Sequence, residues 1–348
     1  MKKSVFTLNK SIPKFLAITA AITLLASCHK IGDYFPGKDH PKKDLGNFKQ
    51  FNLVANNDSY DAARVDPKLL NAWGIAFGAS GVPWLTSTGA GVSTIYDREG
   101  LQVLDPVNIP SPGGPTGGLP TGIVANADTA DFLLSNGKAA RFIFVGLDGV
   151  LSGWNSGSNG NAFLIKNNAG EAVYTGLALA KNDGSNYLYA ANAIKGKVEV
   201  FDRNFAPDTT KPFYDPYLPA GYVPFNVHLV GDKLYVAYTQ VAADGRAKKE
   251  VGNGVVNVFT TGGVFVKRFA DGGKLNAPWG VAFAPASFFP GEGAQSAILV
   301  GNFGDGKINA YTPDGKFISQ LKVNDEPVVI EGLWEISFPP ATSTIDPN

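Results

Sequence analysis

Between Asn71 and Asp97 the chain reads NAWGIAFGASGVPWLTSTGAGVSTIYD, three short apolar runs (WGIAF, PWLTS, VSTIYD) parted by Gly-rich turns. Runs of this length, rich in β-branched and aromatic residues and bounded by turn formers, predict strands. The pattern recurs. Segments alignable with Trp73–Phe77 begin at Thr121 (TGIVA), Thr175 (TGLAL), Phe225 (FNVHL), Trp279 (WGVAF) and Trp334 (WEISF), a period of roughly 50 residues.

Later runs recur in step. VPWLTS, DFLLS, NYLYAAN, KLYVAY and AILVGN read as second strands. VSTIYD, ARFIFVG, KVEVFD, VVNVFT and KINAYT read as third strands, and GLQVL, GVLSGW, GVFVKRF and GKFISQL as fourth strands. In the third unit a Pro-rich stretch, Pro212–Pro219, stands where a fourth strand belongs. Four strands per repeat of this length predict an all-β chain, a six-bladed β-propeller with four-stranded blades. The strand-like Phe48–Val54 is expected to supply the outer strand of blade six, with Trp334–Phe338 as its inner strand. The ten residues after Phe338 carry no strand-like run, so the last blade is expected to be incomplete and the chain cut short.

The second column of the inner-strand alignment is Gly74, Gly122, Gly176 and Gly280, broken by Asn226 and Glu335. On a strand the residue two places on shares the same face, which adds Ala76, Val124, Ala178 and Ala282, broken by His228 and Ser337. Small residues there are expected to face the central channel, with Ile75, Phe77, Val281 and Phe283 packing between blades. The aligned tryptophans read as packing.

Composition agrees with many short strands and turns: 41 Gly and 23 Pro in 348 residues. Basic and acidic groups balance at 30 each, which argues against a nucleic-acid partner, since that would need a basic face. The one cysteine, Cys28, excludes an internal disulfide. Four lysines precede a short apolar run, Phe15–Ala26, that ends in Leu25-Ala26-Ser27-Cys28. A charged start, an apolar core and small residues before a cleavage point predict an export signal over 1–27. The Cys that follows resembles the lipobox of bacterial lipoproteins, implying lipidation at Cys28. His29 in place of Asp implies outer-membrane delivery. Residues 28–47 are polar, with Gly and Pro, and read as a lipid-anchored tether; His29 and His40 are solvated parts of it. The propeller is expected over 48–348, as a monomer.

The segments LNAWGIAF, DGVLSGWN, YTGLALAKNDGSNYLYAANAIKGKVEVFD, LNAPWGVAFAPASF and ILVGNFGDGKINAYTPDGKF resemble the motifs of an exported bacterial family, propeller-like and of unknown function, over about Phe51–Phe338. The resemblance implies no activity or catalytic residues. A looser likeness, of blade form alone, is to six-bladed NHL-type and lactonase-type propellers.

The sequence holds no GxSxG, HExxH or P-loop. The candidate site is therefore positional: Asn226, His228 and Glu335, with Ser337, facing the channel as polar breaks in a small-residue column. Glu331 lies close by in sequence. Asp183-Gly184 and Asp305-Gly306 read as turns, and Asn136, Asn192 and Asn302 as turn residues at second-strand ends. The function expected is a lipid-anchored binding or scaffold module of the cell envelope, with a protein, glycan or small-molecule ligand and no cofactor. The alternative is a metal-dependent hydrolase of the lactonase type, with a divalent ion such as calcium held by Asn226 and Glu335.

Overall fold

Five antiparallel sheets follow one another along the chain and stand in a ring, each inner strand lying against the next. The inner strands are Ala72–Phe77, Pro120–Ala125, Tyr174–Asn182, Tyr222–Val230 and Pro278–Ala284. The protein is thus an all-β propeller with five ring-arranged blades. The computed structural model describes residues 4–7, 45–290, 294–341 and 343. Cys28, His29, His40 and nearly all of the expected signal and tether lie outside them.

Blades two, three and four each lie between two others, and the outer faces of blades one and five are covered by the segments around Val54 and Phe48, so both faces of most strands are buried. The core is therefore a set of inter-blade layers. Trp84 and Ile95 of blade one meet Phe142 and Phe144 of blade two, with Trp84 stacked on Phe142 at 3.9 Å between ring centroids. Ile143 and Leu151 meet Leu177 and Leu188, and Tyr235 and Val258 meet Val281 and Val300. Such interdigitation explains why the strands read as apolar runs with little polar alternation.

Three expectations change. In blade two the second strand is Phe142–Gly146, not DFLLS, and the third and fourth are Val150–Trp154 and Phe163–Asn167. The DFLLS segment is an excursion in which Phe132 takes a left-handed backbone, φ 59°. It bonds to the Arg203 carbonyl and packs on Phe205 of the next blade. Its apolarity serves that contact and no ladder.

Blade three has three strands. In place of a fourth, the Pro-rich segment sends Phe213 between Tyr189 and Phe259. It also pins the buried Asp215 to Asn257 and Arg268 of blade four.

At the sixth position the expected strand Phe48–Val54 is split. Lys49–Asn52 pairs antiparallel with Ser4–Thr7, and Val54–Ala55 pairs parallel with Arg64–Val65. Leu45 and Phe48 sit in the core against blade five, together with Leu321, Val328 and Leu333. Trp334–Phe338 runs beside the inner strand of blade five, the Trp334 carbonyl and Ile336 amide facing Gly280, but carries no ladder. Pro339 and Pro340 follow at once and remove two donors that a ladder would use.

Candidate functional site

The glycines of the small-residue column do not face the channel, whereas Ala76, Val124, Ala178 and Ala282 line its open end as expected. A Cβ added at Gly74 would meet the Thr121 carbonyl at 2.8 Å, and one at Gly280 would meet the Trp334 carbonyl at 2.6 Å. Side chains on the two faces of an inner strand point at the two neighbouring blades, so the axis sees the strand's edge. Glycine is there to let adjacent inner strands approach each other.

The two ends of the channel differ. At the starts of the inner strands, Trp73, Trp279 and Trp334 gather with Phe225 and Phe303 in one buried cluster. Trp334 is sandwiched between Trp73 of blade one, 3.4 Å between ring centroids, and Phe303 of blade five, 4.0 Å. This aromatic stack spans the seam between the first and fifth blades. Trp279, 1% exposed, reaches across to donate its indole N–H to the Thr175 carbonyl at 2.9 Å. The aligned tryptophans therefore pack, as their column suggested.

Beyond that cluster the channel opens into a cavity of about 410 Å³, lined by residues of all five inner strands and by Glu335–Phe338. Its lining side chains are apolar except for those of His228, Glu335 and Ser337. Of the four polar breaks in the column, these three reach the cavity. Asn226 does not: it is 1% exposed, wedged where a Cβ on Gly176 would otherwise sit.

Asn226, His228 and Glu335 are nonetheless brought together. The Asn226 Oδ1 takes the Val227 N–H at 2.8 Å, which turns Nδ2 toward the imidazole, 2.7 Å from Nε2, and toward the Trp279 carbonyl at 3.3 Å. Nε2 thus has a donor, Asn226 Nδ2, on one side and an acceptor, the Trp279 carbonyl at 3.1 Å, on the other, and the ring's tautomer decides which of the two it engages. Nδ1 faces Glu335 Oε1 at 3.7 Å. Burial pushes the His228 pKa down to about 4, the Trp279 carbonyl near Nε2 pulling the other way. Desolvation of an imidazolium outweighs its nearby acceptors, and the ring is neutral at pH 7.

The trio does not fit a calcium ion. Such an ion takes six to eight oxygens, whereas the Asn226 oxygen is spent on backbone and the remaining donors are one carboxylate and one imidazole. Among the described residues no three His, Cys, Asp or Glu gather in a metal-binding group.

The other residues singled out in the sequence have local tasks. Asp183 and Gly184, both at positive φ, form the two-residue turn between paired Asn182 and Ser185. Asp305 caps its own turn. Asn192 and Asn302 each accept the backbone N–H of a residue just before the inner strand of their own blade, Val173 and Asn276. Asn136 pairs with Asn155. Glu331 is absent from the cavity wall.

Sequence reasoning missed the rim. Phe77, Phe283 and Phe338 all line the cavity, as does Leu229; Phe283 is 48% exposed and Leu229 43%. All four stand in the fifth column of the inner-strand alignment. Their recurrence at that position was the available signal.

A propeller with one end of its channel plugged by aromatics and the other open to a small cavity defines the class: a propeller with a pocket on its axis. No family model matches the chain. The chain belongs to the same family as two uncharacterized proteins of Acanthamoeba polyphaga mimivirus. It is 32% identical to protein R648 over 309 residues, covering 84% of this chain and 74% of the relative. To protein L690 it is 31% identical over 309 residues, covering 84% and 79%. Solved structures resembling it include virginiamycin B lyase from Staphylococcus aureus (12% identity, TM-score 0.46, covering 73% of this chain and 70% of that one). Another is a gluconolactonase from Xanthomonas campestris (12%, 0.49, 79% and 82%). At this identity the likeness is one of blade form and extends to no residue role.

Proposed function

We propose that this chain is a binding module of the cell envelope, held by lipid at Cys28, which takes a small ligand in the open end of its channel. In this reading it is exported, as in the bacterial family its motifs resemble. Its plan is six-bladed: Trp334–Phe338 marks the inner edge of an incomplete sixth blade, and the N-terminal segment around Phe48 covers that blade's place. The observation that carries the binding reading is the cavity. At about 410 Å³ it lies in the range of small-molecule sites, and a few convergent polar side chains among apolar ones are what such sites use for orientation.

Two experiments test it. Cell fractionation with Cys28→Ser should move the protein from membranes to the soluble fraction; persistence in membranes would refute the anchor. Screening a small-molecule library against the purified protein by thermal shift should give stabilising hits that Phe283→Ser weakens. Hits indifferent to that change would place binding elsewhere.

A further inference from the structure

Each inner strand is the terminal strand of its sheet, so one of its edges has no ladder partner there, and a strand edge presents backbone N–H and C=O groups. Antiparallel pairing decides which residues present them, because hydrogen-bonded and non-hydrogen-bonded pairs alternate. In blade one Gly78 donates its N–H to the Val82 carbonyl. Two residues back Ala76 pairs with Trp84, and Phe77 between them turns away, opposite a Pro83 that has no N–H to offer. In blades three and four the two-residue turns close on the pairs Asn182–Ser185 and Val230–Lys233. The same alternation gives Ala178 and His228 to the ladder and turns Leu179 and Leu229 to the axis. One tier deeper the Val227 N–H points the same way and is taken by the Asn226 side chain at 2.8 Å. Ala125 and Phe283 hold the same alignment column in blades two and five, and all five residues line the cavity.

The open end is thus ringed by uncharged backbone in which donors and acceptors alternate. A hydroxyl both donates and accepts, whereas a carboxylate only accepts and an ammonium only donates. An extended peptide would pair along one or two strand edges. Here five edges converge above an end sealed by Trp334 and its neighbours, which suits polar groups set round the rim of a compact ring. Between the edges Ala76, Val124, Ala178 and Ala282 offer small apolar surfaces to the C–H faces of such a ring. Resting on the reading of the channel as a ligand site, we propose that its ligand is a neutral ring polyol of monosaccharide size, its hydroxyls paired with the axis-facing backbone of the inner strands.

The test is calorimetric titration of the full chain with probes built on six-membered rings: myo-inositol, methyl glucopyranoside, cyclohexanol and cyclohexanecarboxylate. At least one of the two polyols should bind about tenfold tighter than cyclohexanol, and the carboxylate more weakly still. In amide NMR spectra the bound polyol should shift the N–H signals of Phe77, Leu179, Leu229 and Phe283 more than those of Ala76, Ala178, His228 and Ala282. The reverse order would overturn the pairing with backbone. Leu229→Pro removes one axis-facing N–H and no ladder bond, a placement that strand edges tolerate, and circular dichroism checks that it folds. It should bind the polyol about fivefold more weakly than Leu229→Ala; equal affinities would count against the proposal. Equal or tighter binding of cyclohexanol or the carboxylate, or failure of both polyols to bind, would overturn the polyol assignment. Library hits weakened by Phe283→Ser would then leave the channel as a ligand site, and hits indifferent to that change would remove that reading as well.

Discussion

The two ends of the channel are built from the same six aligned segments and come out opposite. At their starts the side chains are Trp73, Thr121, Thr175, Phe225, Trp279 and Trp334. Four of them are large enough to meet over the axis, and they seal it. Four residues further on stand Phe77, Ala125, Leu179, Leu229, Phe283 and Phe338. Those are also apolar, yet they leave a cavity. Hydrophobicity does not explain the difference. At the sealed end Trp334 is held between two rings from blades one and five, so each aromatic has partners on both sides. At the open end the side chains splay round a gap, and Phe283 and Leu229 stay half-exposed. The sealed end spans the seam of the ring, and the open end leaves a cavity on the axis.

The comparison breaks first at the seal. Trp334→Ala removes the ring stacked on both Trp73 and Phe303 and should cost about 3–5 kcal/mol, read by denaturant unfolding. A loss below about 1 kcal/mol would mean that the seam is held by something else.

Acid should act on the open end. The folded-state pKa of His228, about 4, lies below the ordinary 6.5, so the unfolded chain takes up its proton first as pH falls. His228's contribution is complete above pH 6.5 and is lost progressively down to about pH 4, for a total of about 3 kcal/mol. His228→Gln should flatten that part of the stability–pH curve; an unchanged curve would mean the imidazole is not held neutral.

Smaller effects sharpen the column between the two ends. Gly176→Ala drives a methyl into the Asn226 carboxamide and should destabilise by about 1–3 kcal/mol. Adding Asn226→Gly removes the carboxamide from that space and should recover part of that loss. Additive losses in the double mutant would show that the two residues do not share the space. The smallest effect falls on the rim: Phe283→Ser should change stability by about 0.5 kcal/mol or less, since nearly half of the side chain is already in water.

Much of this architecture was legible in the sequence. The recurrence of TGxxx and WGxxF segments, with FNVHL in step between them, placed all five observed inner strands, because each repeat buries the same face pattern against its neighbours. The polar trio was legible too, since Asn226, His228 and Glu335 interrupt otherwise uniform columns. DFLLS was misread because an apolar run looks the same whether it pairs in a ladder or, like Phe132, packs on the next blade from a left-handed turn. The direction of the glycine column was misread because period two says that alternate residues share a face and not what that face meets.

The sequence by itself determined the repeat, its strands and the residues that depart from it, since those follow from local periodicity and turn chemistry. Only the tertiary structure decided that glycines let inner strands approach one another, that Asn226 lies behind His228 and not in the cavity, and that Trp334 bridges the first and fifth blades. Each of these depends on which segments, some 50 to 260 residues apart in the chain, come within contact distance. Closing the ring fixes those distances, and no local pattern encodes them.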